Sequence, residues 1–403
     1  MNETENKNDK IFFYQGGEAI GGEDCLKSIK QKIAELSNIK NISFLLGAGA
    51  SYPTVPNMDT MYDEIKKDIT NNSDNKIKTL YKSIKGDNLE KILTILYAKK
   101  HYLQGIFSAD TADTKETSNV EKLIKTIEDS MYSKINIDLS SEDAKKSLDL
   151  YKQFYQKTVL RNKDLSRVNI FTTNNDLLNE KALDTLNINY NNGFGGGLER
   201  VFNPARFHYT FSKKIDANLE KFEPLENMVY LYKLHGSISW IEQEDNSLFN
   251  IHEIPVTGGK SKSNENHVLI YPTPLKQAQS LGSPYADLIR EFQTKLSLPN
   301  SVIFIIGYSF RDEHLNNIIY QALGSNSSIS VVIFGEYKKC PLADIKDSRI
   351  YRIFSRVQET NKIHYFEYIV KEFLPNVDEN VDTTLFDAFV SSLNKVLKSD
   401  DTA

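Results

Sequence analysis

Two apolar runs that each end in a glycine turn restrict this chain more than any other feature. Residues 302–306 are apolar without interruption and lead into Gly307-Tyr308-Ser309-Phe310-Arg311-Asp312-Glu313-His314. Far upstream, residues 42–46 are apolar except for Ser43 and lead into Gly47-Ala48-Gly49-Ala50-Ser51. Strands without polar alternation belong in a parallel sheet covered on both faces. Between these runs, Thr172-Thr173-Asn174-Asn175-Asp176 and Leu234-His235-Gly236-Ser237 also follow strand-like segments. Four polar segments behind four strands predict one site at the carboxyl ends of a parallel sheet, the edge where open α/β sheets bind ligands.

The rest of the pattern agrees with an α/β chain, a Rossmann-like parallel sheet with helices on both faces and a large helical insertion. Residues 1–22 read as an arm rich in glycine, with the aromatic triplet Phe12-Phe13-Tyr14 free to dock on its own domain or on a neighbouring subunit. A first Rossmann-like part spans 23–74, with helical spacing at Leu26, Ile29, Ile33 and Leu36 and a further helix over 57–70. Residues 75–160 change character: Lys, Asp and Ser abound, apolar residues recur at helical spacing, and strand signal nearly vanishes. This is the predicted insertion. The sheet pattern resumes over 161–345, with strands at 168–171, 188–190, 229–234, 268–271, 301–306 and 330–334 and helices at 177–186, 284–296 and 313–323. Residues 346–403 form a C-terminal extension ending in an amphipathic helix, marked by Leu385, Phe386, Phe389, Val390, Leu393, Val396 and Leu397.

Composition then narrows the function classes. With 40% hydrophobic and 26% charged residues among 403, the chain reads as an ordinary soluble globular protein. The net charge of -5 and the lack of a basic run speak against nucleic acid as the main partner. The polar start carries no signal-peptide pattern, and no apolar window approaches a membrane span of roughly 18 residues. Cys25 and Cys340 are the only cysteines, so a four-thiolate zinc site cannot form within the chain. A reducing cytoplasm is the expected compartment.

Each motif admits a functional and a plain reading. Gly47 and Gly49 let backbone approach a diphosphate closely, with helix N–H groups beyond them, yet a tight βα turn needs glycine too. The stretch is neither GxGxxG, since position 52 is Tyr, nor a P-loop, since no GK[ST] follows. Asp176 can cap the next helix, which leaves Asn174 unexplained; a carboxamide at a strand tip can orient a water or a sugar hydroxyl. His235, at a strand tip beside Gly236, is a candidate general base, whereas a lone histidine is more often a hydrogen-bonded structural group. His314 reads as a helix-face residue, and His101, His208, His252, His267 and His364 have no supporting context. Ser309 or Asp312 can cap a helix, and on the functional reading Gly307 and Ser309 line the adenosine half of a dinucleotide. Gly193, Gly195, Gly196 and Gly197 form either a mobile loop over the site or a disordered connection.

Taken in order, the four motifs resemble the sirtuin-like superfamily, and most of all its zinc-free bacterial anti-phage branch. The resemblance runs over roughly residues 40–335, is weak in the insertion and is absent at both termini. It implies that Gly47, Ala48, Gly49 and Ser51 hold the diphosphate and sugar of NAD. Asn174 and Asp176 would be the pair beside the nicotinamide ribose, with Thr172 and Thr173 next to them. His235 would be the catalytic histidine, Gly307 and Ser309 would contact the adenosine ribose, and Asp312 is expected among the NAD-binding residues. Asn175 departs from the branch, which often has Tyr there. Protein-deacylating sirtuins carry a four-cysteine zinc module, and this chain lacks the cysteines for one.

The resulting expectation is an NAD glycohydrolase without metal that depletes NAD during phage infection. NAD is its substrate and not a cofactor. The resemblance also implies a homo-oligomer paired with a co-encoded HerA-type ATPase. The rival expectations are a non-catalytic sensor of NAD or ADP-ribose, and a sirtuin-type deacylase or ADP-ribosyltransferase.

Overall fold

The computed structural model describes residues 11–22, 24–72, 74–106, 114–162, 164–216, 220–243, 250–256, 267–269, 283–335, 342, 345–355 and 362–375. The strands run β1 (Ile11–Gln15), β2 (Glu18–Ala19), β3 (Asn41–Leu46), β4 (Val168–Thr172), β5 (Asn189–Asn191), β6 (Phe194–Gly195), β7 (Arg200–Phe202), β8 (Ser212–Asp216), β9 (Lys221–Pro224), β10 (Met228–Lys233), β11 (Gly236–Glu242), β12 (Ile251–Glu253), β13 (His267–Leu269), β14 (Ser301–Ile306), β15 (Ile329–Phe334) and β16 (Ile350–Ser355). The helices of eight residues or more are α1 (Cys25–Ser37), α2 (Met58–Asn72), α3 (Asn75–Ser83), α4 (Leu89–Ile106), α5 (Thr114–Ile135), α6 (Glu142–Thr158), α7 (Leu178–Thr185), α8 (Tyr285–Ser297) and α9 (Glu313–Ser325), and a three-residue helix follows at Phe366–Tyr368.

The main sheet has the order β2-β1-β16-β15-β14-β3-β4-β10-β5. From β16 to β5 every neighbouring pair is parallel. The apolar runs occupy its centre: β3 and β14 lie side by side, buried at every position. Alternate residues face opposite ways, and two separate cores result. Phe44, Leu46, Ile170 and Phe304 join a core with α1 to α7 on one face. Leu45, Phe171, Ile303 and Ile305 join another with α8 and α9 on the opposite face. This is the expected α/β architecture, with helices covering both faces.

Helices α3 to α6 fill the predicted insertion, and α6 fastens it to the sheet. Phe154 meets Phe44 edge-on at 5.0 Å, and Phe44 stacks on Phe304 at 5.2 Å. Removing a fully buried ring such as Phe44 costs about 3–5 kcal/mol. Ser141 caps α6 by accepting from Ala144 N, and Asp74 caps α3 the same way from Lys76 and Ile77.

Several expectations need correction. Residues 11–15 are not part of a loose arm: β1 pairs antiparallel with β16 and extends the main sheet. Nor does the sheet stop at 345, because β16 lies parallel to β15. Phe12, Tyr14 and Phe354 stack across that edge, so the aromatic triplet docks on its own sheet. Within the glycine cluster at 193–197, residues 194 and 195 form β6, which pairs with β7 in a second, antiparallel sheet of order β13-β11-β12-β7-β6. There a Cβ on Gly193 would lie 2.6 Å from the Phe202 ring. Residues 267–269 likewise pair antiparallel with β11 and not within the parallel sheet. The amphipathic helix expected at 385–397 lies outside the described residues.

Candidate active site

The strand order reverses between β3 and β14. From β3 the chain proceeds to β4 and β10 on one side, and it returns to β14 on the other. Such a switch point opens a crevice at the carboxyl edge of an α/β sheet. All four motifs emerge there, on adjacent strands.

The glycines of the first and last motifs meet each other. Ideal Cβ atoms on Gly47 and Gly49 would lie 2.5 Å and 2.7 Å from backbone atoms of Gly307. Gly307 has φ +64, and a Cβ there would lie 2.6 Å from Ala50 N. Phe310 also takes a positive φ of 57, uncommon for a bulky residue. Asn316 Nδ2 donates to Phe310 O at 2.8 Å and holds that backbone.

This joint changes the reading of the Gly47–Ser51 turn. Residues Ala48–Ala50 form one 3-10 turn, and the following helix begins only at Met58, because Pro53 and Pro56 interrupt the chain. The N–H groups of Gly47 and Gly49 donate to Ile306 O and Gly307 O, both at 2.9 Å. Those of Ala50, Ser51 and Tyr52 donate to Gly47 O, Ala48 O and Ala48 O. The turn therefore presents few unspent backbone donors. Ala48, Gly49 and Ser309 face solvent at the crevice; Ala50 and Ser51 are buried.

Beneath the turn lies a closed polar knot. Asn174, 7% exposed, donates through Nδ2 to Gly47 O and to Ser51 Oγ, both at 3.0 Å. Ser51 Oγ donates to Asp176 Oδ2 at 2.8 Å and lies 2.9 Å from the Tyr151 hydroxyl. Since the single Ser51 proton goes to Asp176, Tyr151 is the donor of that last pair. Burial, followed by the nearby Asp176 charge, holds the Tyr151 hydroxyl far above the ordinary phenol range. Asp176 Oδ1 also accepts from Leu178 N at 3.0 Å, so its helix-start role and its Ser51 contact coexist. Thr172 Oγ1 donates to Leu46 O and accepts from Asn174 N, each at 3.0 Å. Thr172 is fully buried and supports the loop from below, whereas Thr173 is half-buried beside it.

His235 stands opposite this knot and is half-buried. Its Nε2 lies 3.0 Å from Asp312 Oδ2. Asp312 is the N-cap of α9, and its Oδ1 accepts from the N–H groups of His314 and Leu315. Asn175 Nδ2 donates to His235 O at 2.7 Å and to Gly236 O at 3.1 Å, and Asn175 O accepts from Ile238 N at 3.1 Å. The residue that departs from the expected Tyr is thus a clamp on the histidine turn. Gly236 adopts φ +80 there, which glycine tolerates without strain.

Three contributors had no role assigned from the sequence, although Lys233 opens the Lys233-Leu234-His235-Gly236-Ser237 motif. Tyr151 comes from the insertion, 100 positions from Ser51, a separation that no helical period bridges. Lys233 and Glu180 form a buried pair under the knot, at 2.8 Å. Lys233 precedes Leu234-His235 directly, so its neighbourhood was the one available signal. His314 is exposed on α9. Among the described residues no group of three or more His, Cys, Asp or Glu side chains is placed to hold a metal. No helix among them is long and apolar enough to cross a membrane.

Comparison with known proteins adds a family match. Residues 168–349 match the model of the SIR2-like domain. The matched stretch holds the Asn174, His235 and Gly307 motifs; the Gly47 turn lies upstream of it. No curated protein matches the chain. Similar solved structures include a Sir2 homologue in complex with NAD, 11% identical, covering 87% of this chain and 94% of that one at a TM-score of 0.44. A mutant Sir2 homologue in complex with ADP-ribose is 12% identical, covering 87% and 97% at a TM-score of 0.40.

Proposed function

We propose that this chain hydrolyses NAD to nicotinamide and ADP-ribose. The observation that carries the proposal is the placement of Asn174 and His235 on the adjacent ends of β4 and β10 at the switch point, with Asp312 from the loop after β14 paired to His235. The SIR2-like match over 168–349 supports a nucleotide of this class as the substrate.

The chemistry suits these groups. Nicotinamide is already cationic in NAD and leaves neutral, so no strong acid is required. Breaking the bond to ribose C1′ leaves an oxocarbenium-like centre, as in glycoside cleavage. Asn174 spends both amide hydrogens inward, so its carbonyl oxygen is the atom that accepts from a ribose hydroxyl or the attacking water. With Asp312 ionised, Nε2 is the donor of the His235 pair, and Nδ1 takes the proton from the nucleophile. The carboxylate of Asp312 then stabilises the imidazolium that forms. Asp176 supports the geometry through Ser51 and adds negative charge near the developing cation.

The two thiols of the chain cannot build the zinc module of a deacylase. On the resemblance of the four motifs, we place the activity in NAD depletion during phage infection. A co-encoded HerA-type ATPase would supply the trigger, and the chain would work as a homo-oligomer in the cytoplasm.

The test is nicotinamide release from NAD by the full chain, alone and with its co-encoded ATPase, beside His235→Ala and Asn174→Ala. Release by the wild type and loss in both variants supports hydrolysis. Binding of NAD by calorimetry with no release under either condition would replace it with a sensor. Formation of O-acetyl-ADP-ribose from an acetylated peptide would replace it with deacylation.

A further inference from the structure

Lys233 is the one buried lysine or arginine among the described residues. It is 1% exposed, and removing an ammonium from water costs several kcal/mol unless partners compensate. Its Nζ donates to the backbone oxygen of Asp176 and to Glu180 Oε1, the latter at 2.8 Å. Glu180 sits on α7, buried, with Oε2 meeting no hydrogen-bond partner. Burial pushes its carboxyl up, and Lys233 opposes that push. A pair of well-packed apolar residues would serve stability at least as well. The contact with Asp176 is what an apolar residue could not make.

The topology gives that contact a use. Lys233 ends β10, two residues before His235, and Asp176 lies two residues after Asn174. The loops that carry the two groups leave neighbouring strands, β4 and β10, which pair in register up to Thr172 and Lys233. Beyond that last rung the backbone bonds between the two segments are Leu234 N to Thr172 O at 2.8 Å and Ile238 N to Asn175 O at 3.1 Å, and neither holds Asp176. The Lys233 ammonium bridges the gap from inside, while Asn175 ties the same two loops from the crevice side.

We propose that Lys233, held by Glu180, is a positioning residue that fixes the Asn174–Asp176 loop relative to His235. It touches no substrate and acts through the Asp176 carbonyl. The proposal rests on the NAD-hydrolysis reading for its kinetic consequence, but its structural consequence stands apart from it.

The experiment compares wild type, Lys233→Met and the double variant Lys233→Met/Glu180→Met. Lys233→Met alone strands the Glu180 carboxyl and tests folding. The double variant removes both charges at similar volume, so its melting temperature is expected to stay near that of the wild type. Nicotinamide release is expected to fall on the order of 100-fold in kcat, the cost of an ångström-scale misplacement, with KM changed less than about threefold. Hydrogen exchange is read on the same samples. Faster exchange confined to 173–179 and 234–238, with the rest of the sheet protected, is the expected result. A double variant with wild-type kcat and wild-type exchange in those segments would overturn the proposal and leave a merely structural pair. If the wild type itself releases no nicotinamide, the hydrolase reading fails alone, and the exchange pattern still decides the role of Lys233.

Discussion

The two halves of the site are built to opposite rules. The Ser51–Asn174–Asp176–Tyr151 knot is buried and closed, with most of its donors spent on another member or on backbone. The His235–Asp312 pair is half-buried, and its carboxylate is fixed from behind by two helix N–H groups. A closed knot in a low-dielectric interior resists rearrangement, because each broken bond leaves an orphaned polar group. A half-exposed imidazole can exchange protons with a bound molecule or water. On the proposed reading, one half holds geometry and the other does the chemistry.

That division predicts different failures for different substitutions. The largest effect is expected for His235→Ala, which should lower nicotinamide release by about 10²- to 10⁴-fold, the range of a general base, with an unchanged melting temperature. A melting temperature that drops in step with activity would erase the distinction between the halves. Gly307→Ala should come next, in stability: its positive φ costs an L-residue roughly 1–2 kcal/mol before the contact with Ala50 N is counted. A variant as stable as the wild type would show that the joint between the first and last motifs yields easily.

Tyr151→Phe sharpens the comparison further. It deletes only the hydroxyl that donates to Ser51, at a cost of about 0.5–1.5 kcal/mol by denaturant unfolding. Loss of activity beyond that small change in stability would mean that the insertion tunes the knot. The smallest effect belongs to Arg311, whose guanidinium grips Asp59 with two bonds of 2.9 Å at the exposed rim of the crevice. The hydrogen bond from Arg311 holds the Asp59 carboxyl below its usual range. Because the folded-state value is the lower one, this contribution is present above the unfolded pKa of about 3.9 and is lost as pH falls through the folded value. Arg311→Ala should therefore lower stability slightly at neutral pH and not at all in strong acid. Exposed pairs of this kind contribute at most about 1 kcal/mol, so a larger loss would assign the pair a role in closing the crevice.

Much of this was legible in advance because the central strands announce themselves. Residues 42–46 and 302–306 had to be buried on both faces, and their partners 168–171 and 229–234 followed from the same argument. The strand tips then brought Asn174, His235 and Gly307 to one edge. The antiparallel second sheet was not legible, since β6, β7, β12 and β13 are two or three residues long and show too few positions for a period. β1 escaped for a different reason: its glycine-flanked aromatics gain an edge only when β16, over three hundred positions away, supplies it.

The amino-acid order by itself determined which segments are buried on two faces, where the turns fall and which side chains stand at the strand ends. These follow from local periodicity and from burial of apolar surface, and they need no knowledge of neighbours. Only the tertiary structure decided what those side chains touch. It turned Gly47, Gly49 and Gly307 into a backbone joint, made Asn175 a clamp on the histidine turn, brought Tyr151 out of the insertion onto Ser51 and seated Lys233 beneath Asp176. Hydrogen bonds and ion pairs depend on distances of tenths of an ångström between residues far apart in the chain, and no local pattern encodes those distances.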